Sequence, residues 1–171
     1  MKDKDKEFGR ILFNFYFSLF TFLLVFLVSW WFKNIMGKRR SGRELAFRLL
    51  FQCDVGGQPL EEVIAIAREE SDATEDVWNF AVELARGAWQ SRHELDVIIV
   101  RYAQGWTLER MANADRNLLR LALYEVLHRD DIPQSVSINE AVELAKKYST
   151  ADSAKFINGI LGSFSREKTA V

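Results

Sequence analysis

From Met36 to Val171 the chain holds only two prolines, Pro59 and Pro133, and its apolar residues recur at intervals of three and four rather than two. Such a stretch has few points at which a helix must stop. It has no sustained alternation that would cover one face of a sheet. The pattern predicts an all-α fold, with Gly105 as a break between two helical halves.

The first helix is expected over about Ser41 to Asp54, where Leu45, Ala46, Leu49, Leu50 and Cys53 form one apolar stripe and Gly56-Gly57 ends it. A second covers Leu60 to Glu69 behind Pro59. A third begins near Thr74, its buried face made by Val77, Ala81, Leu84, Ala85 and Ala88, and a fourth carries Leu95, Ile98, Ile99 and Tyr102. Between Leu118 and Leu127 the next helix is apolar on most sides, which predicts the central, most enclosed element. Ser137-Ile138-Asn139-Glu140 reads as a capping box opening a helix lined by Ile138, Ala141, Val142 and Ala145. The last helix is expected from near Asp152, with Phe156, Ile157, Ile160, Leu161 and Phe164 inward and Gly159 and Gly162 permitting close helix approach.

Residues 1–35 are of another kind. Ile11 to Phe32 is a run of 22 residues without a charge, followed by Lys33, Lys38, Arg39, Arg40 and Arg43. At ~1.5 Å per residue it would span a hydrocarbon core of ~30 Å, with Trp30 and Trp31 at one interface. It is too long, and lacks the small-residue cleavage site, for a signal peptide. Two readings are open: a single-span anchor leaving the rest in the cytoplasm, or a translation start set upstream of a true initiator at Met36.

Of the chain's 23 basic and 24 acidic residues, five and three fall in the first 35, so the remainder carries 18 and 21 and a net charge of −3. Bulk charge cannot hold nucleic acid on such a body, so any RNA binding needs a local basic patch. One cysteine excludes an internal disulfide and a cysteine-built zinc site, and Cys53, on the apolar stripe, reads as an inert buried thiol. His93 and His128 have no metal-ligand spacing. No nucleophile arrangement, phosphate-cradling loop or dinucleotide fingerprint is present, and the carboxylates sit beside lysines and arginines as on a solvated helix face. Catalytic residues, metal and cofactor are therefore expected to be absent.

Lys38, Arg39, Arg40 and Arg43 cluster where the first helix begins. At 100° per residue Arg40, Phe47 and Phe51 share one meridian, Arg43 stands about 60° away, and Leu45 and Leu49 point elsewhere. A line of arginines continued by aromatic rings suits phosphates and unpaired bases. The same residues equally suit a helix buried on two sides with a solubilising end.

The segment DRNLLRLALYEVL, followed by IPQSVSINEAVELAKKYSTADSAKFINGIL, resembles the signature region of the NusB family of transcription antitermination factors, and GKRRSGRELAFRLLFQ is similar to that family's arginine-rich helix. The resemblance covers roughly residues 36–164. It implies a two-subdomain bundle of about seven helices, residues 36–104 and 105–171, without enzymatic activity. It also implies binding of single-stranded boxA RNA in ribosomal RNA leaders together with the ribosomal small-subunit protein NusE. Other Nus factors and RNA polymerase would be met indirectly, the setting would be cytoplasmic, and the sequence leaves a homodimer open. A membrane partner enters only with residues 11–32. By position, the resemblance assigns RNA contact to Lys38, Arg39, Arg40, Arg43, Phe51, Tyr102, Asp152, Lys155 and Phe156, and a partner-protein surface to Glu109 and Asp115. Ser41 stands where the family often has a basic residue. Asp152 equally reads as a helix N-cap, and Phe156 as core. Alternative readings are an accessory RNA-binding module for ribosomal RNA modification and a membrane-tethered helical scaffold.

Overall fold

Across residues 37–169, the part of the chain that the computed structural model describes, the backbone forms seven α-helices and one 3-10 turn, with no strand among the described residues. In chain order they are α1 (residues 37–56), α2 (Leu60–Glu69), α3 (Glu75–Gln90), α4 (Arg92–Tyr102), the 3-10 turn Leu108–Arg110, α5 (Asn113–His128), α6 (Gln134–Tyr148) and α7 (Ala151–Thr169). The chain divides into two units, Met1–Lys38 and Arg39–Val171, and the packing below is that of the second. The hydrophobic run Ile11 to Phe32 lies outside the described residues. None of the described helices is long and apolar enough to cross a membrane.

Local chemistry sets most boundaries. Gly57 adopts φ 64°, a left-handed turn that its missing Cβ permits, and its amide donates to the Cys53 carbonyl at 3.0 Å, closing α1. Pro59 and Pro133 stand immediately before α2 and α6 with φ of −56° and −58°, where a fixed φ suits a helix start and no amide is wasted. Gly105, at φ 77°, turns the chain out of α4.

Two expected caps are corrected. Ser137 does not open α6. The helix begins three residues earlier, behind Pro133, and Ser137 is buried inside it with an Oγ that lacks a hydrogen-bond partner. On α7 the cap is Thr150, whose Oγ1 accepts the Ser153 amide at 3.0 Å, and Asp152 is exposed in the first turn. A hydroxyl one residue before the helix reaches the third helical amide, whereas a side chain inside the first turn does not.

The expected central helix is α5, which packs against α3, α4, α6 and α7 and buries Leu118, Leu119, Leu121, Ala122, Leu123 and Val126. Its polar residues tie the bundle as well. Asp54 at the end of α1 accepts from Arg116 Nη2 at 2.6 Å and Asn117 Nδ2 at 2.9 Å, while Arg120 reaches Asp96 of α4 with two bonds of 2.7 and 2.8 Å. Burial alone would push the Asp54 carboxyl up, but those hydrogen bonds and the charges of Arg116 and Arg120 outweigh it and hold it below its ordinary value.

Close helix approach is made elsewhere than at Gly159 and Gly162. A Cβ on Gly159 would meet nothing within 4 Å, and one on Gly162 only the end of Arg166. Gly42 of α1 instead lies under Phe80, and Gly87 of α3 under Tyr124, where a Cβ would fall 2.6 and 1.9 Å from ring atoms.

Candidate nucleic-acid interface

The N-terminal end of α1 presents a half-exposed Arg39 and an exposed Arg40, and a ring on α3 sets the position of the first. Phe80, itself buried, has the Arg39 guanidinium 4.2 Å from its centroid, with those of Arg129 and Arg43 at 5.6 and 5.8 Å. A guanidinium over an aromatic face is held in orientation while its edge stays open to solvent. Arg39 also lies 4.0 Å from Asp131, whose carboxyl is held below its usual value chiefly by a hydrogen bond from Arg129. Arg40 projects to the other side, towards Glu140 (3.4 Å) and Glu143 (3.9 Å) of α6. Lys38 precedes them on the same helix, half-exposed.

Arg43 departs from the expected cluster. It is 5% exposed and grips Glu125 of α5 with both Nε and Nη2, so its charge is spent inside the bundle. Phe47 departs likewise. It is buried, with Tyr148 of α6 at 5.0 Å and Phe51 at 5.9 Å between ring centroids. Burial of Phe47 opposite the Leu49 stripe shows that α1 is covered on two sides, the plainer of the two sequence readings. Phe51 remains half-buried.

Between α1 and α6 runs a groove of about 460 Å³ lined by Arg40, Glu44, Glu143, Leu144, Lys146 and Lys147. Glu44 accepts from Lys147 Nζ at 2.8 and 2.9 Å and from the Tyr148 hydroxyl at 2.6 Å, and pairs with Arg48. Burial pushes the Glu44 carboxyl up, but the Lys147 and Tyr148 bonds and the neighbouring charges outweigh it and hold it low. Lys146, Lys147 and Arg48 were not singled out in the sequence, because their basic character there looked like ordinary helix surface.

A second concavity, of about 300 Å³, is formed where the 3-10 turn meets the start of α7. It is lined by Trp106, Arg110, Met111, Asp115, Asp152 and Phe156 among others. Asp152 and Phe156, expected from the family resemblance, meet here. Lys155 stands beside them on α7, paired with Asp152 at 3.1 Å. Asp115, expected at a partner surface, is buried at the edge of this cleft. Its Oδ2 accepts from Ser153 at 2.8 Å, and its Oδ1 has no hydrogen-bond partner. Glu109 is exposed on the 3-10 turn. The cleft's main aromatic wall is Trp106, 46% exposed, 5.6 Å from the Phe156 ring and covered by Arg110. Sequence reasoning passed over it, although a tryptophan directly after the Gly105 break was the available signal. Tyr102 is not in this cleft. Its hydroxyl donates to Glu167 at 2.6 Å and its ring stands edge-on to Phe164 of α7.

Cys53 is buried, and burial raises its thiol pKa, which suits an inert role. Among the described residues no group of His, Cys, Asp or Glu could hold a metal ion.

Fold and surface thus define a class: an all-helical protein with a cationic helix edge, a charged groove beside it and an aromatic-walled cleft. The NusB family model matches residues 40–166, and the chain belongs to the NusB family, a regulatory RNA-binding family and not an enzyme family. Transcription antitermination protein NusB of Symbiobacterium thermophilum is 49% identical over 138 residues, 75% of this chain and 89% of that protein. Its counterpart in Myxococcus xanthus is 42% identical over 130 residues, 74% and 93%. Among solved structures, NusB of T. maritima superposes with a TM-score of 0.69 at 39% identity, covering 75% of this chain and 91% of that one. The crystal structure of antitermination factors NusB and NusE in complex with dsRNA superposes with a TM-score of 0.68 at 27% identity, covering 75% and 96%.

Proposed function

We propose that this chain is a transcription antitermination factor that binds the boxA element of ribosomal RNA leaders together with NusE and so keeps transcription processive. The observation that carries the reading is near-half identity to a transcription antitermination protein NusB over almost all of that relative's length. A solved complex of family members with NusE and RNA supports both partners. Arg39 and Arg40 would contact phosphates, with Lys38 beside them. Trp106, Phe156, Asp152 and Lys155 would meet the strand at the cleft, and Phe51 and Tyr102 would add further aromatic contacts. Glu109 and Asp115 would face NusE. Arg43 acts through the fold, by placing α1. The basic edge would belong to a subdomain of residues 36–104 and the cleft to one of residues 105–171.

Few clustered cations on a body of net −3 give weak RNA binding alone, so NusE completes the affinity and the sequence readout. The factor works without catalysis, reaches RNA polymerase through other Nus factors, and acts in the cytoplasm where leaders are transcribed. The test is capture of purified NusE by the immobilised full chain, with and without boxA RNA. Capture strengthened by the RNA is expected, and absence of capture in both arms refutes the reading.

A further inference from the structure

Every cation lining the groove between α1 and α6 is turned towards a carboxylate. Arg40 Nε lies 3.4 Å from Glu140 Oε2, an oxygen that is enclosed yet has no hydrogen-bond partner, so the two are paired by charge without alignment. Arg40 Nη2 lies 3.9 Å from Glu143 Oε2, while Glu143 Oε1 accepts from Lys146 Nζ at 2.6 Å. Lys147 is held by Glu44. Glu140 and Glu143 are about one helical turn apart on α6, and both face Arg40. Arg40 is 54% exposed and Lys146 57%, so a strand can reach both.

We propose that Glu140 and Glu143 set the chain's RNA affinity by standing in for phosphate at Arg40 and Lys146, so that a phosphodiester backbone binds this groove only by displacing them. The inference rests on the reading of Arg40 as an RNA contact. Exposed ion pairs are weak in water, so displacement lowers affinity by a few-fold without preventing it. Glu140, 13% exposed, loses its compensating charge when Arg40 turns away, and that cost is met only by a ligand offering several phosphates at once. The device therefore disfavours single phosphates and short contacts relative to a strand laid along the groove.

The test measures fluorescence anisotropy of labelled boxA RNA with the full chain, its E143Q, E140Q/E143Q, R40A and R40A/E143Q variants, and E61Q. E61Q removes the same unit charge from an exposed residue that pairs with Arg86 instead. Circular dichroism melting confirms that each variant is folded. Expected are affinity gains of about three-fold for E143Q and roughly ten-fold for the double variant, with E61Q within two-fold of the parent. The E143Q gain should shrink in the R40A background. Equal gains for E61Q and E143Q, or a full E143Q gain without Arg40, overturn the proposal in favour of bulk charge. If R40A weakens binding while neither glutamine variant gains, the inference fails and the RNA reading stands. If R40A leaves affinity unchanged, both fail.

Discussion

Arg43 on α1 and Glu125 on α5, 82 residues apart, form a two-pronged ion pair whose three hydrogen bonds measure 2.5, 2.9 and 3.0 Å. Both are almost fully enclosed, at 5% and 1% exposure, so each charge depends on the other. The pair ties α1 to α5 about one helical turn beyond Arg39 and Arg40.

Truncating one member leaves an uncompensated buried charge. Arg43→Ala or Glu125→Ala is expected to lower unfolding free energy by about 3–5 kcal/mol in urea titrations, whereas Arg43→Met/Glu125→Leu together should lose far less. A loss below about 1 kcal/mol for either alanine variant would show that the pair is not what seats the helix.

Acid should weaken the bundle through Asp54. Its folded-state carboxyl lies below the ordinary value of 3.8, because hydrogen bonds from Arg116 and Asn117 and the charges of Arg116 and Arg120 outweigh desolvation. A depressed folded pKa contributes stability that is full above the unfolded value and is lost as pH falls through the folded one. Unfolding free energy is therefore expected to decline below about pH 4. In Asp54→Asn that decline should be shallower, from a lower neutral-pH starting point. Identical acid profiles for the two proteins would remove Asp54 from this role.

At the cleft, Trp106→Ala should weaken RNA binding by an amount set by one lost stacking platform, about 1–3 kcal/mol, with little change in melting temperature because the ring is nearly half exposed. Tyr102→Phe should leave RNA affinity within two-fold, since the hydroxyl it removes serves Glu167. Unchanged affinity in Trp106→Ala would take the cleft off the strand's path.

Much of this fold was legible because helix periodicity is a local signal. The stripe of α1, the buried face of α3 and the enclosed α5 follow from spacing alone, as does the glycine stop at residue 57. What was not legible depends on distant residues. Arg43 and Arg40 look alike in sequence, and only the position of Glu125 decides that one is buried and the other is not. Phe47 shared a meridian with Arg40, yet Tyr148, a hundred residues on, covers it. Ser137 satisfied the capping-box pattern, but an earlier start behind Pro133 overrode it. The two close-packing glycines, Gly42 and Gly87, carry no pattern, because what makes them necessary is a ring on another helix. The cleft follows the same rule: its α7 residues came from family resemblance, and its tryptophan wall came only from the fold.

If Arg39 and Arg40 grip the RNA backbone, the salt dependence of binding must carry their two phosphate contacts. Each phosphate contact on a single strand adds about 0.7 to the slope of log affinity against log salt concentration. The Arg39→Ala/Arg40→Ala variant, folded like the parent, is expected to bind boxA RNA more weakly and with a slope shallower by about 1.4. A parallel line at the parent's affinity would show that neither arginine touches the RNA.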